Sequence, residues 1–246
     1  MNLRPLFAYL PWHARDLAVR VFSPFLLFFV MAGLPLWSIT STQGIPLFGG
    51  DPQVQDLALQ IWSNTASLCL TIGAVLLMNG SVGVDREKQY VRFLFAHQIP
   101  PVWFYLQRFV VGLTLFAVSF ALVPVAFSQI VAVPVLGTVL ALVLVSFFIG
   151  SLMLLLGAIS QSDGLLFILV YLVSNVIQAI TFGGNGPTWL HGLAWILPPV
   201  RQLGEFSGAW LTGRTVEPTD LVLVVSYAIG MLLSGLFLIK RAPLVR

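Results

Sequence analysis

FVVGLTLFAVSFALVPVAFSQIVAVPVLGTVLALVLVSFFIGSLMLLLGAISQS, residues 109–162, contains no Asp, Glu, Lys or Arg across 54 positions. A helix needs about 20 apolar residues to cross the roughly 30 Å hydrocarbon core, at about 1.5 Å per residue. The stretch is too long for one crossing and fits two joined by a tight turn. Pro124 and Pro134 bracket the expected turn, because proline removes a helical hydrogen bond and clashes with the preceding turn. The reading is a span over about 102–123 and another over 134–159.

The rest of the chain follows the same pattern. No charge falls between Arg20 and Asp51, and a span is expected over 21–39; the uncharged segment 57–84 holds another, over about 60–83. The polar break Gln161-Ser162-Asp163-Gly164 precedes a span over 165–182, which the Gly183-Gly184-Asn185-Gly186-Pro187 breaker ends. A last span covers 221–239 and is closed by Lys240 and Arg241. The expected fold is an all-α membrane protein of six transmembrane helices, with 1–246 forming one transmembrane domain.

Composition agrees. Only 9% of residues are charged, 58% are hydrophobic and the mean hydropathy is +0.96, against about 25% charged in a soluble domain. Too little polar surface remains to cover a water-facing globule. Arg4, Arg15, Asp16 and Arg20 interrupt the first twenty residues, so no cleavable signal peptide is expected. Cys69 is the lone cysteine, which excludes an internal disulfide and any cysteine-based metal pattern.

Six spans put both termini on one side, and the basic residues choose it. Arg4, Arg15, Arg20, Arg86, Lys88, Arg92, Arg108, Lys240, Arg241 and Arg246 fall on one face, with only Arg201 and Arg214 on the other. By the positive-inside rule both termini are cytoplasmic, as suits a bacterial inner (plasma) membrane protein. No Asp, Glu, Lys or Arg lies deep in a span, since Arg108 is near enough to the inner boundary to snorkel. A proton- or sodium-coupled carrier would need such groups.

Two segments are apolar without spanning. Residues 4–20 mix Phe7, Tyr9, Leu10, Trp12, Leu17 and Val19 with basic side chains, which suits either an amphipathic N-terminal helix at the cytoplasmic headgroups or a solvated tail. The loop 183–220 carries Trp189, Leu190, Leu193, Trp195, Ile196, Leu197 and Val200 around Pro198-Pro199. Short re-entrant helices before the last span fit it, and so does an interfacial aromatic belt.

Chemistry is concentrated between the second and third spans. Asp85-Arg86-Glu87-Lys88-Gln89-Tyr90-Val91-Arg92-Phe93-Leu94-Phe95-Ala96-His97-Gln98-Ile99-Pro100-Pro101 gathers five charged residues within eight positions. A helical wheel from Lys88 sets Tyr90, Val91, Leu94 and Phe95 on one side and Lys88, Gln89, Arg92 and Ala96 on the other. Asp85 and Glu87 meet the positive end of that helix, and Pro100-Pro101 stops it. Its apolar side either rests on lipid or docks a cytoplasmic partner.

In these residues the chain resembles the ABC transporter type-2 permeases. The matching features are the acidic-Arg-Glu cluster Asp85-Arg86-Glu87, the hydrophobic positions Val91, Leu94 and Phe95, and the turn from Pro100 to Arg108. The family has Gly and Thr where this chain has Gln89 and Tyr90, and Glu in place of Arg92. The layout resembles the family over nearly the whole chain. The resemblance implies that helix 88–99 is a coupling helix, with Asp85, Arg86, Glu87, Tyr90, Val91, Leu94 and Phe95 docking a cytoplasmic ATP-binding subunit. It also implies a second permease chain, identical or related, and an exporter moving an apolar or amphipathic substrate. ATP and Mg would sit on the partner: no GxxxxGK[ST] phosphate loop occurs, and no cofactor is expected in this chain.

The family's substrate path lies between two permeases, where spans two and five face each other. Span five offers Tyr171, Ser174, Gln178 and Thr181 on one stripe, and span two offers Asn64, Ser67 and Thr71 at the same spacing. Such stripes either line a path or bond neighbouring helices. An enzyme is not expected, because His13, His97 and His191 are scattered and neither HExxH nor GxSxG occurs. Nucleic acid is not an expected partner, and membrane lipid is. A non-catalytic membrane scaffold or assembly factor is the alternative function.

Overall fold

A computed structural model describes residues 8–20, 22, 25, 26, 30, 52–79, 82, 100–128, 132–160, 162–182 and 187–241. Among them every regular element is helical: α1 (residues 8–20), α2 (Pro52–Met78), α3 (Pro101–Phe127), α4 (Val135–Ile159), α5 (Asp163–Phe182), α6 (Thr188–Ile196), α7 (Val200–Leu211) and α8 (Pro218–Arg241). The helices α2, α3, α4, α5 and α8 are long and apolar enough to cross a membrane. The chain is therefore built as a membrane protein. The first expected span, 21–39, lies mostly outside the described residues, of which 22, 25, 26 and 30 are helical.

Two helices, α2 and α3, differ from expectation in their bounds. α2 begins at Pro52, eight positions before the expected start, because proline's fixed φ suits the opening of a helix. It stops at Met78, five positions short of the expected end. α3 runs four residues past its expected end, through Pro124 to Phe127, and the break before α4 at Val135 falls within the stretch that Pro124 and Pro134 were expected to bracket. Proline's lost N–H bond and its clash with the preceding turn are offset by burial of Val123, Pro124 and Phe127, with the Phe127 ring centroid 5.2 Å from that of Trp62.

α4 is the hub of the bundle. It packs against α2, α3, α5, α7 and α8, and its sequence is apolar all round, the pattern of a helix without a solvent face. In lipid, apolar burial does not drive helices together, so close packing must. Small residues supply that closeness: a Cβ at Gly235 of α8 would come within 3.1 Å of the Leu155 backbone on α4, and one at Gly150 within 2.9 Å of Phe109 on α3.

α1 lies lengthwise beside α3. Tyr9 and His13 meet Phe104, Asp16 meets Arg108, Leu17 approaches Gly112 and Phe25 meets Phe120, so the contacts advance in order along both segments. Gly112 also faces Leu77 and Met78 in the last turn of α2, so the opening turns of α3 run past the end of α2 and carry α1.

Candidate functional site

The described residues hold two polar centres at opposite ends of the bundle. At one end, α6 and α7 form a hairpin between α5 and α8. None of α6 is buried, with Trp189, Trp195 and Ile196 all exposed. α7 buries Val200, Leu203, Phe206, Ser207 and Leu211, one face at helical spacing, against α4, α2 and α5. The close approach of Gly137 on α4 to the Trp210 backbone seats its far end.

Gln178 of α5, itself buried, fixes the hairpin turn. Its side-chain amide donates to the Pro198 carbonyl at 2.7 Å, and its side-chain oxygen accepts the Arg201 N–H at 3.0 Å. The Pro198 carbonyl also accepts the Val200 N–H at 2.8 Å, so the Gln178 amide is a second donor that ties the turn to α5. Tyr227, nine residues into α8, donates to the Trp195 carbonyl. At about 1.5 Å per residue, the turn thus sits short of the last residue of α5 and of the first residue of α8. Arg201 and Glu205 pair at 2.8 Å on the exposed side of α7.

At the other end, Asp16 joins three elements. Arg108 donates to its carboxylate at 3.0 Å, Arg20 stands 3.6 Å from the same oxygen, and Arg20 also donates to the Asn79 carbonyl at 2.7 Å. Arg108 is 3% exposed, so it does not snorkel as expected; pairing with Asp16 replaces the reach to water. His13 packs against Phe104 with ring centroids 4.7 Å apart and is fully buried. Neither of its ring nitrogens has a hydrogen-bond partner among the described residues. Burial, with the neighbouring Arg108 charge, lowers its pKa to about 4, partly opposed by Asp16.

No protein-family model, curated protein or solved structure matches the chain. Its site residues must therefore be judged on their own placement. Asp85, Arg86, Glu87, Tyr90, Val91, Leu94 and Phe95 lie outside the described residues. Of the two polar stripes, that of α5 turns inward: Ser174, Gln178 and Thr181 are buried and Tyr171 is half-buried, its ring centroid 5.6 Å from that of Phe167. Thr181 donates to the Ile177 carbonyl, and the Ser174 hydroxyl has no partner among the described residues. On α2, Asn64 is exposed, while Ser67 and Thr71 are half-buried and Thr71 donates to the Ser67 carbonyl at 2.9 Å. α2 and α5 both pack on α4 and α7, and among the described residues no comparable contact brings the two stripes together.

Sequence reasoning placed Gln178 on a polar stripe without its partners, and missed the Asp16–Arg108 pair. A signal existed for the second: Asp16 is the only acidic residue among the first fifty, and a single carboxylate before a long apolar segment marks a place where a buried cation can be matched.

Proposed function

We propose that this chain is the permease subunit of an ATP-driven, ABC-type exporter that moves an apolar or amphipathic substrate and draws on a separate ATPase. The observation that carries the reading is the charged amphipathic stretch Asp85–Phe95, set between the end of α2 and the start of α3 in an otherwise charge-poor chain. An element so placed can transmit a push from a cytoplasmic partner directly into two spanning helices. The short α6–α7 pair before the last long helix supports the same plan, as a hairpin re-entering from the opposite face. Asn64, Ser67 and Thr71 of one chain would then face a substrate path completed by a second permease chain, with Tyr171, Ser174, Gln178 and Thr181 on the helix beside the hairpin.

The scaffold alternative draws on one observation. The cavity between α2, α3 and α4, lined by Trp62, Ala66, Phe120 and Thr138, has a volume of about 10 Å³, room for a single water. That cavity offers no path for a substrate, and a permease reading places the path between two chains.

The test is co-expression with the ATPase encoded nearest to it and purification in detergent. A stable complex with the ATPase, dissolved by the combined Glu87→Ala, Val91→Ala and Leu94→Ala change in a permease that stays folded, is the expected result. Failure of any ATPase to copurify would move the scaffold reading to the front.

A further inference from the structure

One helical face beside the Asp16 cluster has two parts. An open cleft of about 480 Å³ is lined by Trp12, Arg15, Asp16, Val19 and Arg20. Directly along the same segment lies an apolar groove of about 220 Å³, formed by Ala18, Phe22 and Phe25 with Leu115, Ser119 and Leu122 of α3. Arg15, Ala18, Val19 and Phe22 follow one another at helical spacing, so the polar cleft and the groove lie on one side of the segment. Val19 and Phe22 are 73% and 64% exposed, too apolar for water to be their natural cover.

Charge selects what fits. Arg20 and Arg108 both approach one carboxylate, Asp16, and Arg15 lines the same cleft, so positive charge is in excess there among the described residues. From Ala18 to Phe25 the groove side of this segment rises about 10 Å, within the roughly 15 Å depth of one leaflet. A ligand matching both parts has an anionic head and an acyl tail. We propose that this face binds one anionic phospholipid, its phosphate at Arg15 and Arg20 and one acyl chain in the groove between the first helical segment and α3. The lipid would bridge α1 and α3, adding a charged partner where Arg20 already reaches the end of α2. The inference rests on the membrane character of the chain and is independent of the transport reading.

The experiment is native mass spectrometry of the full chain in detergent, titrated separately with dioleoylphosphatidylglycerol, dioleoylphosphatidylcholine and inorganic phosphate. Phosphatidylglycerol is expected to bind about thirtyfold more tightly than phosphatidylcholine, the discrimination two basic residues can supply at about 1 kcal/mol each. Arg15→Gln should weaken phosphatidylglycerol about fivefold and leave phosphatidylcholine unchanged. Leu122→Trp, at an exposed position where the ring fills the groove, should displace both lipids with an unchanged thermal unfolding curve. Equal affinity for the two lipids would overturn the proposal. So would displacement of the lipid by inorganic phosphate at matching concentration, which would make this a free-anion site. A dimer cross-linked through Phe22→Cys that excludes lipid would make the face a contact between copies of this chain, and would also overturn it.

Discussion

Arg108 and Asp16, ninety-two positions apart in the chain, are joined by a hydrogen-bonded ion pair of 3.0 Å that ties α1 to α3. Removing one partner of a buried pair is costly because the other charge stays out of water. Asp16 is about a third exposed, which tempers the cost. Asp16→Ala should destabilise the protein by about 2–3 kcal/mol, read as a lower unfolding midpoint in detergent. The double change Asp16→Ala with Arg108→Met should recover much of that loss, since it removes the stranded charge. A double variant no more stable than the single one would show that the pair is not what joins the helices.

His13 sits in the same cluster and gives it a pH dependence. Its folded pKa is lowered to about 4, below the ordinary value near 6.5. Between those values the unfolded chain binds a proton that the folded chain refuses, so stability falls as pH drops from about 6.5 toward about 4 and is flat above. The loss should be of the order of 2 kcal/mol at the acid end. His13→Phe keeps a ring against Phe104 and should flatten the profile in that window. Thermal unfolding of both proteins across the range checks it, and an unaltered slope in the variant would assign the acid sensitivity elsewhere.

Much of this fold was legible because lipid imposes one length on every crossing. The absence of charge over 109–162 marked both α3 and α4, and their observed ends fall within four residues of expectation. Pro124 misled because proline's local cost was weighed without the aromatic contact to Trp62 that outweighs it, and such a contact joins residues far apart in sequence. The polar stripe of α5 was visible as spacing, yet spacing cannot say which side faces protein. That depends on α7, which covers it. Arg108 was placed by its distance from a helix end, whereas its partner is set by how α1 lies on α3.

Gly235 offers a sharp test of the packing that replaces hydrophobic drive in a bilayer. A Cβ there would meet the Leu155 backbone at 3.1 Å, and backbone cannot swing aside as a side chain can. Gly235→Val should force α8 off α4 and cost about 2–3 kcal/mol. Gly230, on the same helix with nothing within 4 Å of its Cβ position, is the control. Gly230→Ala should be neutral or slightly stabilising, as alanine is the better helix former. Equal effects at the two positions, measured by unfolding in detergent, would show that helix propensity and not close approach governs the α4–α8 contact.

Gln178 combines an acceptor and a donor that no other single residue supplies at this length except in the same amide geometry. Gln178→Leu removes the bond to the Arg201 N–H and one of the two donors to the Pro198 carbonyl, which keeps the Val200 N–H, at about 1 kcal/mol in total. The loss should be local: α6 has no buried residues to hold it, whereas α7 keeps Val200, Leu203 and Phe206 against α4. Hydrogen exchange is therefore expected to rise at 193–201 and stay protected across 203–211. Gln178→Glu tests which half matters, because a carboxylate retains the acceptor for Arg201 and loses the donor to Pro198. If the hairpin gates the proposed transport, Gln178→Leu should also alter ATP-driven export while leaving the ATPase complex intact. Exchange rising evenly over α5, α6 and α7 would mean that Gln178 supports the whole bundle end and not the turn alone.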